Sequence, residues 1–193
     1  DMNQALIAAW NERITGNDTV FILGDLFYRC ADPEPILQQL KGRKRLIIGN
    51  HDSSWMDKVE LSKYFVSVDP YLEITDGSRL LTLCHYPLLT WKHKLRQNSF
   101  MIHGHIHNDT TSDFFPLLAI RERALNAGVD INGFRPVTFG ELAENNRAFK
   151  AAFLENSSED PRDLCAELCE TLDAEPVKVI GKKIIIYKES KNK

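Results

Sequence analysis

Short apolar runs, each ending in a small polar cluster, set the rhythm of the first 150 residues. Leu6, Ile7, Trp10 and Ile14 recur at helical spacing and predict an amphipathic helix at the start. With no strand before it to pack on, that helix reads as the continuation of a longer sequence. Thr19 to Leu23 is an apolar run that ends in Gly24-Asp25. Arg45 to Ile48 is a second, ending in Gly49-Asn50-His51-Asp52. Leu80 to Cys84 is a third, ending at His85, and Phe100 to Ile102 a fourth, running into His103-Gly104-His105-Ile106-His107. Runs of this length and composition predict buried strands of an α/β sheet. A helix is expected over Pro33–Leu40, with Asp32 as N-cap. A further strand is expected around Ala124–Ala127. Thr138 and Glu141 fit a capping box that opens a helix reaching about Arg147.

The texture changes after Phe149. Between Glu155 and Glu175 there are eight acidic residues and one basic residue; from Lys178 to Lys193 there are six lysines and one acid. Asp160-Pro161 predicts the start of a helix. Val177–Ile180 and Lys183–Tyr187 predict a hairpin about Gly181-Lys182. The expected organisation is therefore residues 1–150 as one α/β domain and 151–193 as a small α+β segment, too short to bury a sound core alone.

Composition narrows the class. A chain of 193 residues with 43% hydrophobic and 26% charged residues predicts a packed core. A net charge of −3 argues against nucleic-acid binding driven by global charge. Four scattered cysteines make no disulfide framework, and no apolar run approaches a membrane span, so a cytoplasmic location without membrane attachment is expected.

All six histidines fall between residues 51 and 107. In open α/β sheets, ligands bind beyond the carboxyl ends of the strands, so the four polar clusters can meet in one crevice. Asp25, Asn50, His51, Asp52, His85, His103, His105 and His107 offer oxygen and imidazole donors without thiolate. That set suits manganese, iron or zinc. His103 reads more simply as a strand residue, His93 as part of a solvated basic loop, and Cys84 as core. A metallo-β-lactamase zinc loop does not fit, because Asn108 and Asp109 follow His107 rather than an aspartate preceding a histidine. An amidohydrolase barrel needs a longer chain.

The order Gly24-Asp25, Gly49-Asn50-His51-Asp52, His85 and Gly104-His105-Ile106-His107 resembles the signature of calcineurin-like metallophosphoesterases. The resemblance covers about residues 2–149 and includes Gly128 to Val137, similar to the tail of small bacterial and phage members. It implies a sandwich of mixed β-sheets flanked by helices, a two-metal centre and hydrolysis of a phosphoester. Asp25 would bridge the metals, Asn50, His85 and His105 would complete one site, and His107 would bind the other ion. His51 would stabilise the phosphate and protonate the leaving oxygen, with Asp52 orienting it from behind. The family opens with a strand ending in Asp-x-His, which nothing before Gly24 matches. The first strand is thus expected to be missing and the second metal site two ligands short, with one bound ion as the alternative to two.

The C-terminal forty residues resemble half of a CRM-type RNA-binding domain, carried by Val179-Ile180-Gly181-Lys182 and by Tyr187-Lys188-Glu189-Ser190-Lys191. This implies weak, salt-sensitive RNA contacts through Lys178, Lys182, Lys183 and Lys188. The alternative to a hydrolase is accordingly a one-metal or metal-free protein that binds RNA through this segment.

Overall fold

The computed structural model describes residues 2–156. Lys178, Lys182, Lys183 and Lys188, and with them the expected RNA-binding segment, lie outside the described residues.

Helix α1 (Met2–Arg13) precedes a three-stranded sheet of β1 (Thr19–Ile22), β2 (Arg43–Ile47) and β3 (Phe65–Asp69), in that order and all parallel. A second sheet has the order β4 (Tyr71–Asp76), β5 (Arg79–Cys84), β6 (Ser99–His103) and β7 (Ala124–Asn126). Here β4 and β5 form an antiparallel hairpin about Gly77 (φ 60°), and β5, β6 and β7 run parallel. Short helices α2 (Glu34–Leu37) and α3 (Phe115–Ala119) lie on the connections, and α4 (Phe139–Asn156) closes the described chain. The result is the mixed α/β sandwich flanked by helices that the motif order implied, with its first sheet wholly parallel.

Two apolar clusters hold the layers. Ile22, Phe27, Leu37, Leu46, Trp55 and Phe65 pack beneath the first sheet. Ile47 joins Leu81, Leu83, Ile102, Leu125 and Leu142 between the sheets, with Phe21 and Leu23 alongside. Strands β5 and β6 read as continuous apolar runs because both are buried on their two faces. Above this core a cleft of about 1250 Å³ opens between α1, β1, the face of β4–β5 and the start of α4. Strand β1 forms the open edge of its sheet along it.

The α4 start is the expected capping box: Glu141 accepts from Thr138 N at 2.7 Å and Thr138 Oγ1 at 2.9 Å. Glu141 also binds Arg13 of α1 at 2.7 Å, and these partners hold its carboxyl down to about 2. The helix runs past Arg147 because Phe149 and Phe153 continue its apolar face onto Phe115 of α3. By contrast, α2 is shorter than the spacing suggests. Pro33, not Asp32, occupies its cap position, and no side chain caps it.

Lys150 anchors α4 to β7 by donating to the carbonyls of Arg121 (2.6 Å) and Ala124 (2.5 Å). Burial pushes its ammonium down to about 8 from the ordinary 10.5. The unfolded chain therefore holds more protons than the folded one between about pH 8 and 10.5, so stability rises with pH across that window. The gain is at most about 3 kcal/mol. Urea denaturation of wild type and Lys150→Met across pH 7–11 is expected to show a steeper rise in the wild type, the remainder in the variant coming from Lys44, which burial also holds below the ordinary lysine range.

Candidate metal centre

Parallel strands place their carboxyl ends at one edge, and here each of those ends carries a polar loop. Gly24-Asp25 follows β1, Asn50–Asp52 follows β2, His85 follows β5, and Gly104 to His107 follow β6. The loops converge because glycine stands where they touch. A Cβ at Gly24 (φ +86°) would overlap His85 Nδ1 and lie 2.7 Å from Gly49 Cα, and one at Gly104 would lie 2.8 Å from Leu23 O. Asp25, His105 and His107 all sit in the left-handed region, at φ 53°, 69° and 51°. Three such non-glycine residues among the candidate ligands mark backbone strain held at one place, of order 1–3 kcal/mol each.

His85 is the hub. Its side chain is 2% exposed. Its Nδ1 lies 2.7 Å from Leu23 O, a carbonyl that can only accept, so Nδ1 carries the proton. In the neutral ring, Nε2 then presents a lone pair. Around Nε2 stand Asn50 Oδ1 at 3.0 Å, His105 Nδ1 at 3.2 Å and Asp25 Oδ2 at 3.3 Å. Four nitrogen and oxygen atoms so close together can share one positive charge. Ligands each about 2.1 Å from a common ion lie roughly 3.0–3.5 Å from one another, so these separations fit one divalent cation. Among the described residues, Asp25, His85 and His105 form the group of acids and histidines that can hold a metal. The residues present therefore fit the ion that the motifs imply. Desolvation, with the neighbouring His85 as the next cause, holds His105 below the ordinary imidazole range and keeps it in its ligating form.

The other expected residues take separate places. His51 is exposed at the rim; its backbone N–H donates to Asp25 Oδ1 at 2.8 Å and its ring stands against Tyr28. Asp52 does not reach the His51 ring. It is fully buried, and its oxygens accept from Gly49 N (2.7 Å), Trp55 Nε1 (2.8 Å), Asp25 N (2.9 Å) and Leu26 N (3.0 Å). These bonds tie the β1 and β2 loops together. His107 stands apart from the His85 cluster, with Nδ1 2.9 Å from Asp130 Oδ2. Asp18 is spent in a turn, accepting from the N–H and hydroxyl of Thr15. His103 ends β6 fully buried, and desolvation pushes it down to about 4; it is a core histidine.

Three asparagines that position the site were not among the expected site residues. Asn126, at the end of β7, donates to His107 O (2.6 Å) and accepts from Gly128 N (2.8 Å). Asn146 of α4 accepts from Asn126 N and donates to Asn126 O, in the manner of an added strand. Asn132 donates to Gly128 O and Asn126 O. Together they fix the loop that brings Asp130 to His107. The available signal was a polar cluster, Asn126 to Asp130, following one more short apolar run.

The sequence matches the calcineurin-like phosphoesterase family over residues 3–166. The chain belongs to that family. Among its relatives, an uncharacterized protein of Methanocaldococcus jannaschii is 27% identical, over 72% of this chain and 71% of its own. The gene 66 protein of a Mycobacterium phage is 28% identical, over 56% of this chain and 67% of its own. In three dimensions the chain is similar to a protein of unknown function from Aquifex aeolicus, with a TM-score of 0.57 and 26% identity over 74% of this chain and 83% of that one. No helix among the described residues is long and apolar enough to cross a membrane.

Proposed function

We propose that this phosphoesterase hydrolyses phosphoesters at the centre built on Asp25, with Asn50, His85 and His105 around one divalent ion and His107 contributing to a second. The observation that carries this reading is the crowding of lone-pair atoms about His85 Nε2 while Leu23 O holds the opposite ring nitrogen. Manganese, iron or zinc bound there supplies positive charge to the phosphoryl oxygens and lowers the pKa of water.

The chain's own residues do the rest. Asp25, whose Oδ2 points at His85 while Oδ1 accepts from the His51 N–H, would be the carboxylate shared by the two ions. Asp130 accepts the Nδ1 proton of His107 and so leaves Nε2 as the free donor, the usual dressing of a ligating imidazole. Water oxygen bonds to phosphorus as the ester P–O bond breaks, and the departing oxygen takes that electron pair and a proton. His51 makes no side-chain hydrogen bond among the described residues and stands at the rim beside Asp25, placed to give that proton.

His51→Ala is expected to lower turnover of phenyl phosphate by the ~10²–10⁴-fold typical of a lost proton donor. Manganese per chain, read by elemental analysis, should stay at the wild-type value, because His51 is not a ligand. Unchanged turnover in the variant would remove His51 from the reaction.

A further inference from the structure

Two tyrosines stand exposed at the rim of the metal centre, each packed T-shaped against histidines of the site. Tyr86 is 46% exposed, with its ring centroid 5.0 Å from His85 and 4.7 Å from His105. Tyr28 is 63% exposed and 5.0 Å from the His51 ring, with the Arg29 guanidinium 5.1 Å from its own centroid. Neither hydroxyl has a protein partner among the described residues. The other two described tyrosines differ: Tyr64 donates to Glu34 and Tyr71 to Glu73. Exposed aromatic surface is costly to leave in water, and here neither a core nor a hydroxyl partner explains it. What the two rings have in common is contact with a histidine at the centre.

We propose that Tyr86 and Tyr28 form an aromatic rim that binds the alcohol part of the substrate, so that this site takes phosphoesters whose alcohol carries a flat aromatic ring. The inference rests on the hydrolase reading for its phosphate end only. T-shaped packing holds each tyrosine by its histidine, and the exposure of both rings leaves surface on which a second ring can stack. A phosphate bound to an ion held by Asp25, His85 and His105 would have its ester group beside Tyr86, and Arg29 against Tyr28 adds a cation at the same rim. Stacking on a protein ring is sequence-tolerant and strong enough to change affinity by about tenfold.

Non-hydrolysable phosphonates separate this inference from turnover. Phenylphosphonate and ethylphosphonate are titrated calorimetrically into the manganese-loaded full chain. Wild type is expected to bind the phenyl compound about tenfold more tightly, a margin of the size that one aromatic stack supplies. Tyr86→Ala should lose most of that preference, Tyr28→Ala part of it, and Tyr86→Phe should keep it; manganese per chain and melting temperature are read for each variant to establish that the centre is intact. Equal affinity of the two phosphonates in wild type, no binding of either, or a preference untouched by both alanine variants overturns the proposal. Hydrolysis of phenyl phosphate is measured alongside. If the phenyl preference stands without turnover, the hydrolase reading falls and the aromatic rim survives; turnover without the preference has the opposite meaning.

Discussion

Asp25→Asn is expected to empty the metal centre while leaving the fold in place. The substitution keeps shape and volume, so asparagine can still accept from His51 N, but the negative charge beside His85 and His105 is gone. Three neutral donors then remain around His85 Nε2, and divalent ions bind such sets far more weakly than sets containing a carboxylate. Manganese affinity should fall by more than the ~10–100-fold that follows loss of a mere outer hydrogen-bond partner. Elemental analysis after manganese loading and desalting reads the result directly. Asp18→Asn is the matched control, since Asp18 is committed to its turn with Thr15 and should leave the metal content unchanged. Full occupancy in Asp25→Asn would place the ion elsewhere.

Asp52→Ala is expected to be the most damaging single change to stability in the described chain. Its buried carboxylate is the acceptor for four N–H groups drawn from three segments: Asp25 and Leu26 after β1, Gly49 after β2, and the indole of Trp55. Alanine strands those donors in a site where Trp55 and Asp52 are both wholly buried. Leaving buried donors unmet costs about 1–3 kcal/mol apiece, though not additively, so a loss of about 4 kcal/mol or more is anticipated. Urea denaturation measures it. If Asp52 instead served only to orient His51, stability would hold and activity alone would fall.

The contrast between these two aspartates shows what could be read from the chain and what could not. Asp25 was legible because it ends an apolar run and stands in ordered spacing with Asn50, His85 and His105. Strand ends in a parallel sheet share one edge, so the pattern itself brings those four residues together. Asp52 was visible as a member of the same motif, but its partners are backbone groups 26 and 27 residues away, and backbone N–H groups leave no trace in a residue pattern. The same holds for Asp130, whose meeting with His107 across 23 residues depends on the asparagine lattice of β7 and α4.

Among elements, those written as unbroken apolar runs were readable and those with polar residues mixed in were not. Strands β1, β2, β5 and β6 announce themselves as apolar runs. Strand β4 alternates Leu72 and Ile74 with exposed Tyr71, Glu73 and Thr75, and its Asp76-Gly77 turn is a hairpin signal, yet polar residues dilute the run. Strand β3 mixes Ser67 and Asp69 into an edge position and owes its strand state to pairing with β2. The helical spacing at the start predicted α1, while α2 begins near Pro33 as expected but gives way after Leu37 to i→i+3 turns at Gln39 and Leu40.

The sequence by itself determined the α/β class, the four strand-end clusters, the capping box at Thr138 and the identity of the donors that face one another around His85. These follow from local periodicity, turn chemistry and the one geometric rule that parallel strands end together. Tertiary structure alone decided that Asp52 is a structural tie and that Asp130 attends His107. It also decided that Tyr28 and Tyr86 remain uncovered at the rim. Each of those depends on which backbone or ring lies across a gap in space, and distance in space is what a one-dimensional pattern does not contain.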